Sequence, residues 1–287
     1  MGSRRSACAV LLALVALVLA QPAAGSRAAG IAALQVALRM RALYDGTIDG
    51  VRGPVTTAAV KRFQREAGLR ADGVPGVRTR LALGSYGRHV LGSRSLSRGA
   101  GGWDVAALQF LLAWHGFPSG AFDGRLGART ERALRRFQDW AGLPPDGVAG
   151  EATFGALRRP RPRCPLRLAW PLAAPVGDGF GPRGTRFHAG IDLLAGVGTP
   201  VGAAAPGRVA FAGFALGGWG NVVVVAHARG VQTIYAHLSR ITVLPGRLVR
   251  TGARVGTVGA TGDASGPHLH FEVRVRGAAV DPRPALP

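Results

Sequence analysis

Laid on itself with a shift of 74 residues, the 287-residue chain repeats: IAALQVALRMRALYDGTIDGVRG from Ile31 matches VAALQFLLAWHGFPSGAFDGRLG from Val105 without a gap. Both copies carry Leu-Gln (Leu34-Gln35, Leu108-Gln109), Asp-Gly (Asp49-Gly50, Asp123-Gly124) and Phe-Gln (Phe63-Gln64, Phe137-Gln138). Ala-Gly-Leu, a second Asp-Gly (Asp72-Gly73, Asp146-Gly147) and a closing Leu83 or Leu157 complete each copy. Such self-similarity means one structural module used twice. Apolar residues at Ile31, Leu34, Leu38 and at Val105, Leu108, Leu112 recur at helical spacing, so each copy opens with a helix. Pro54 suits the first turn of a second helix, with Ala59, Val60 and Phe63 as its inward stripe. Only a short third helix fits between Thr79 and Leu83. The expectation is a small three-helix bundle over residues 31–83 and another over 105–157.

These motifs, in this order, resemble the peptidoglycan-binding domains of secreted wall enzymes. They are turn and core residues, so they identify a fold more than a ligand-contacting surface. The resemblance implies wall targeting. Residues 84–102, rich in Gly, Ser and Arg, and the run RRPRPRCPLR over 158–167 read as linkers. The second predicts an extended path of ~3 Å per residue that holds the C-terminal domain away from the helical half. His89 and His115 read as surface or loop histidines.

From Leu168 onward the texture changes to short β-branched runs separated by glycines, which predicts a mainly β domain over 168–287. The expected fold class is therefore a multidomain α + β chain, with two three-helix modules ahead of an antiparallel β domain. Five of the seven histidines fall in that last domain. FHAGID sets His188 and Asp192 four apart, GPHLHFEV sets His268 and His270 two apart on an apparent strand, and YAHLS ends at a strand terminus with His237. Residues i and i+2 of a strand share a face, so both imidazoles of the pair reach one cleft. A catalytic zinc takes three His or carboxylate ligands and keeps one position open. Glu272, at the same strand parity, is an alternative ligand or base; His227 is an alternative site residue that reads better as structural.

The ordered set GFGPR, FHAGIDL, GTPV, GRV, GNVVVVAH, YAHLS, VGTVGATG and GPHLHFEV, from about Trp170 to Pro282, closely resembles the lysostaphin-type zinc metallopeptidases, which cut peptide crosslinks in bacterial peptidoglycan. The resemblance implies one Zn2+ per chain held by His188, Asp192 and His270. It implies His237 and His268 as unligated catalytic histidines, and Tyr235 as a residue lining the substrate cleft. The chain has no His-Glu-x-x-His motif, so a neutral histidine is the natural proton acceptor. Which of the two is base and which stabilises the oxyanion stays open.

At the other end, Arg4 and Arg5 precede an uncharged run from Ala7 to Ala20, the pattern of a secretory signal, with small residues suited to cleavage up to Ala28. Residues 1–28 are thus expected to be a leader, and the mature protein to be extracytoplasmic and wall-associated, without stable membrane insertion. Cleavage would leave Cys164 alone, so no internal disulfide is expected. The formal charge of +21 comes almost entirely from arginine. A GC-rich genome raises Arg, Ala, Gly and Pro together, so this charge specifies no partner by itself. It adds attraction to anionic wall polymers, and with no nucleic-acid motif beside it, nucleic acid is not an expected partner. The function expected is a secreted zinc endopeptidase of peptidoglycan, with a non-catalytic wall-binding or regulatory protein as the alternative. Glycyl bridges and D-Ala-to-diamino-acid crosslinks are both candidate targets, the latter favoured by an exported, GC-rich protein. Bond cleavage is expected to survive loss of the repeats, because every candidate site residue lies outside them.

Overall fold

The computed structural model describes residues 24–287. The expected leader lies outside the described residues except for its last five, which open the first helix. The first repeat contains α1 (Ala24–Arg39), α2 (Pro54–Glu66) and α3 (Val77–Ala82). A four-residue helix, α4 (Ser85–Arg88), comes next, and the second repeat contains α5 (Trp103–Trp114), α6 (Ala128–Trp140) and α7 (Glu151–Leu157). Each repeat thus has its three expected helices, but the two bundles do not keep separate cores. α1 and α5 pack on each other, and one continuous apolar cluster runs from Ala29 through Leu108 to Leu157. Every residue from Asp104 to Ala113 is buried. A helix apolar all round has to be covered on every side, and the partner repeat supplies the missing cover.

The repeat motifs are explained by one device used four times. The buried amide of Gln35 donates to Asp49 Oδ1 (2.7 Å), the Val51 carbonyl (3.1 Å) and Thr56 Oγ1 (3.2 Å), while its oxygen accepts from Gly50 N (3.0 Å). Gln64 does the same with Asp72, Val74, Thr79 and Gly73. Gln109 and Gln138 repeat it around Asp123-Gly124 and Asp146-Gly147. Each Gln therefore latches an Asp-Gly turn and the threonine that begins the next helix, and a buried amide with all its partners met avoids the penalty of an unpaired polar group.

The segment 84–102, expected to be a free linker, is a packed strap. Leu96 is fully buried and bridges Ala149, Tyr86 donates to the Asp123 carbonyl (3.2 Å), and Arg94 pairs with the buried Asp104 (2.7 Å). His115, expected at the surface, is buried, with Nε2 3.0 Å from the Leu157 carbonyl and its ring edge-on to Phe137.

The β half has twelve strands: β1 (Gly181–Arg183), β2 (Arg186–His188), β3 (Ile191–Leu193), β4 (Pro200–Gly202), β5 (Gly207–Ala215), β6 (Gly220–Ala226), β7 (Val231–Ala236), β8 (Arg240–Ile241), β9 (Leu248–Val249), β10 (Arg254–Thr257), β11 (Leu269–Val275) and β12 (Ala278–Val280). All pairings are antiparallel. The main sheet runs β12-β11-β7-β6-β5-β9, with β3 also paired to β11; β4-β10-β8 and the β1-β2 hairpin complete the domain. Leu269, Phe271 and Val273 of β11 face the core with Tyr235, Val223 and Ile191, so the alternate residues His270, Glu272 and Arg274 face the other way.

The Pro/Arg run forms no helix or strand, as a proline-rich segment should, but it does not hold the halves apart. Trp114 of the second repeat stacks edge-on against Phe187 (centroids 5.1 Å) and Phe180 (6.2 Å), with the Arg161 guanidinium 4.2 Å over its ring. Phe187 and Ala278 belong to the helical core cluster. The turn of the β1-β2 hairpin accepts backbone hydrogen bonds from both repeats, Ile48 N to Gly184 O (2.9 Å) and Phe122 N to Thr185 O (2.7 Å). Ala279 N donates to Gly116 O (3.1 Å), and a Cβ at Gly116 would lie 2.4 Å from the Ala279 backbone. The physical reason for the departure is the apolar surface at the end of α5, where Trp114 gains cover by packing on the β domain.

Candidate metal and catalytic site

His188 ends β2, Asp192 lies in β3 and His270 in β11, and the pairing of β3 with β11 sets Asp192 directly opposite His270. Gly190 makes the approach of the FHAGID turn possible, since a Cβ there would stand 2.4 Å from the Phe271 carbonyl oxygen. The result is three ligand-type atoms from three strands: His188 Nε2 and His270 Nδ1 are 3.0 Å apart, and Asp192 Oδ1 is 3.1 and 2.8 Å from them. All three residues are buried.

Their other polar atoms are already engaged. His188 Nδ1 donates to the Gly179 carbonyl (2.8 Å), and His270 Nε2 donates to Glu272 Oε1 (3.1 Å), whose carboxylate is paired with Arg274 (2.7 Å). Burial alone would raise the Asp192 carboxyl, yet its hydrogen bonds to His188 and His270 hold it far below the carboxylate range. Burial opposes charge on His270 too, but Asp192 and Glu272 push it up to about 9. Glu272 thus orients an imidazole from behind and does not share the triad; on the same pairing Ile234 faces its side of β11.

Two further histidines close the opposite side. His237 and His268 meet edge-on at 4.8 Å between ring centroids, and His237 lies 5.8 Å from His270. His237 Nδ1 donates to the Thr261 carbonyl (2.8 Å) and His268 Nδ1 to the Gly266 carbonyl (2.9 Å). Both leave Nε2 without a backbone partner, and that of His268 is 3.7 Å from Asp192 Oδ1. Burial pushes the His237 imidazole below its ordinary value. His237 also holds a left-handed backbone, φ 62°, rare for a residue with a Cβ and fixed here by its N–H on the Trp219 carbonyl (3.0 Å).

Tyr235 does not line the cleft, and that expectation is corrected. It is fully buried on the core face of β7 and stacked on Phe271; its hydroxyl accepts from Ala204 N (2.7 Å) and pairs with Thr233 (2.9 Å). Burial pushes that phenol up to about 12. Strand parity is the cause, because Tyr235 lies opposite Phe271 and not opposite His270. His227 is structural, held between the Pro206 carbonyl and Thr233. The carbonyls of Gly179, Thr261 and Gly266 were not singled out from sequence, although each sits inside a quoted motif, because a backbone acceptor leaves no side-chain signature.

The five residues open on a cleft of about 900 Å³ whose walls include Arg183, Arg186, Trp219 and Asp263 and, from the second repeat, Gly116, Pro118 and Arg136. Ligand atoms on a tetrahedral zinc stand roughly 3.3 Å apart, given metal bonds of about 2.0–2.1 Å, so two imidazoles and a carboxylate converging at 2.8–3.1 Å fit that ion. A buried donor set whose remaining nitrogens are tied to a carbonyl and a carboxylate is also how metal-ligating histidines are supported.

Residues 186–282 match Peptidase family M23, and residues 27–83 and 101–157 each match the family described as "Putative peptidoglycan binding domain". The DD-carboxypeptidase/endopeptidase Mpg of Neisseria meningitidis is 50% identical over 97 residues, which is 34% of this chain and 22% of that protein. The murein hydrolase activator NlpD of Salmonella dublin is 36% identical over 118 residues, 41% of this chain and 31% of that protein. The catalytic domain of lysostaphin from Staphylococcus simulans superposes with a TM-score of 0.37 at 34% identity, over 39% of this chain and 90% of that one. The chain thus spans less than a third of the length of either of these two curated relatives. It carries a Peptidase family M23 domain behind two peptidoglycan-binding domains.

Proposed function

We propose that the chain is an exported zinc endopeptidase that hydrolyses peptide crosslinks of bacterial peptidoglycan and is directed to the wall by its repeats. The observation that carries this is the convergence of His188 Nε2, Asp192 Oδ1 and His270 Nδ1 beside two histidines whose Nε2 atoms make no hydrogen bond and line the same cleft. Among relatives of both kinds, an endopeptidase and a hydrolase activator, this complete set favours the enzyme.

His188, Asp192 and His270 would hold the zinc, which when bound acidifies a water and polarises the scissile carbonyl. Arg183, 3.5 Å from Asp192 Oδ2, orients that carboxylate, which His188 and His270 keep ionised. His237, held neutral by burial, accepts a proton at Nε2 without first having to lose one. His268, with Nδ1–H anchored on the Gly266 carbonyl, presents its own Nε2 to the same space, where once protonated it donates to the developing oxyanion or to the leaving amine. Wall binding by the two repeats raises the local concentration of enzyme on the polymer, and the chain's charge adds attraction that weakens with salt. No helix among the described residues is long and apolar enough to cross a membrane, which is compatible with release after export.

The test is mass spectrometry of fragments released from purified walls by the full-length, zinc-loaded protein. New D-Ala carboxyl and diamino-acid amino termini are expected. About one zinc per chain with no new termini would favour the non-catalytic, regulatory reading.

A further inference from the structure

We propose that Arg136, on the second peptidoglycan-binding repeat, is a substrate contact of the peptidase cleft, where its guanidinium takes a free carboxylate of the crosslinked peptide. This rests on the function proposed above but assigns to the repeat a part in recognition at the reacting centre itself.

α6 buries Ala133, Leu134 and Phe137, and Arg136 leaves that helix on the side facing the peptidase domain. It lies 5.6 Å over the Phe117 ring, reaches the Gly277 carbonyl at 3.5 Å and lines the cleft together with Glu272 and Arg274. Its position is not that of a tethered module, because Trp114 and the tight Gly116–Ala279 contact dock the repeat on the β domain. Two other cleft arginines are paired, Arg183 with Asp178 (2.7 Å) and Arg274 with Glu272 (2.7 Å). Among the described residues no carboxylate lies within ion-pair distance of Arg136. Partial burial and then Arg274 nearby disfavour its charge, against a smaller attraction from Glu272. An exposed guanidinium with no carboxylate at ion-pair distance, on the wall of a cleft that also holds the five candidate site residues, is a receptor for an anion brought by the substrate. Peptidoglycan stem peptides supply one, since they carry carboxylates beside the crosslink. The planar fork of arginine engages both oxygens of such a group, which a lysine cannot do.

The experiment compares two crosslinked stem peptides, one with free carboxylates and one with those carboxyls amidated. Binding is read by calorimetry as Kd, and turnover as KM and kcat, on zinc-loaded full-length protein. Arg136→Ala should raise Kd and KM for the acidic peptide about 10- to 100-fold, the range of a charge-assisted hydrogen bond, and leave kcat and zinc content unchanged. The amidated peptide should bind the wild type and Arg136→Ala equally weakly, and Arg136→Lys should recover only part of the loss. Arg132→Ala, one turn earlier on the same helix and outside the cleft lining, should change nothing and so reports the effect of charge alone. Equal Kd for wild type and Arg136→Ala, equal losses on both peptides, or no binding of the acidic peptide by the wild type would overturn the assignment. Binding without hydrolysis would instead sink the endopeptidase reading and leave the Arg136 comparison intact.

Discussion

His268 and His270 stand two apart and face one cleft, yet their second nitrogens go to different places. His270 Nε2 is backed by a buried carboxylate, Glu272, whereas His268 Nδ1 rests on a neutral carbonyl. Either partner fixes the tautomer, as the Gly179 carbonyl does for His188, so position separates the pair: His270 Nδ1 stands 2.8 Å from Asp192 Oδ1 and His268 Nε2 3.7 Å. Substituting His188, Asp192 or His270 by Ala should therefore remove zinc and activity together, since two ligands do not retain the ion. His237→Ala and His268→Ala should keep zinc at about one per chain and lose ~10²–10⁴ of turnover. Zinc analysis run beside kcat decides this, and a metal-free His268→Ala protein would reverse the pair. The residue types and spacing were legible in FHAGID, YAHLS and GPHLHFEV. Strand parity would put His237 on the same core face as Tyr235, two residues earlier in β7; the left-handed turn at His237, which the sequence does not announce, is what brings its imidazole to the cleft while Tyr235 stays inside.

At the scale of elements, the four Gln latches hold helices that have no side-chain caps of their own: α2, α3, α6 and α7 each start after a glycine without a capping bond. Gln138→Ala leaves Asp146 and Thr153 without their buried donor and should cost about 3 kcal/mol, read as a lower Tm in thermal unfolding. The latches also carry a pH signature. The N–H groups of Val74 and Val148, and then the amides of Gln64 and Gln138, hold the Asp72 and Asp146 carboxyls below their ordinary value. A carboxyl depressed in the folded state stabilises it above the unfolded pKa of about 4, and that contribution disappears as pH falls through the folded value. The Asp72→Asn, Asp146→Asn protein should accordingly lose less Tm than the wild type on acidification below about pH 4. Identical pH profiles would mean the latches do not couple to protonation. The recurrence of Gln, Asp-Gly and Thr was plain in the sequence; that they form one hydrogen-bonded unit was not, because their separations of 8 to 21 residues match no helix or strand period.

For the molecule as a whole, the docking of the helical half changes what the repeats are for. The hairpin that ends in His188 is gripped at its turn by Ile48 and Phe122, and at its base by Trp114 against Phe187. Trp114→Ala should cost about 3 kcal/mol by analogy with other large-to-small changes at packed aromatic sites, and should lower turnover of a small soluble peptide as well as action on walls. Chemical denaturation and a soluble-peptide assay check this. Unchanged soluble-peptide turnover would restore the view of the repeats as mere tethers. The sequence by itself determined the number and kind of modules, the helix and strand content and the five polar groups of the site, because these are written in short-range periodicity and in motifs a few residues long. Only the tertiary structure decided that the two repeats share one core, that the segment 84–102 is a strap, that Tyr235 is buried, and that Arg136 reaches a cleft whose histidines lie far along the chain. Those outcomes depend on contacts between distant segments, such as Trp114 on Phe187 and Gly116 on Ala279, whose energy comes from burial and close fit, and neither leaves a period in the chain.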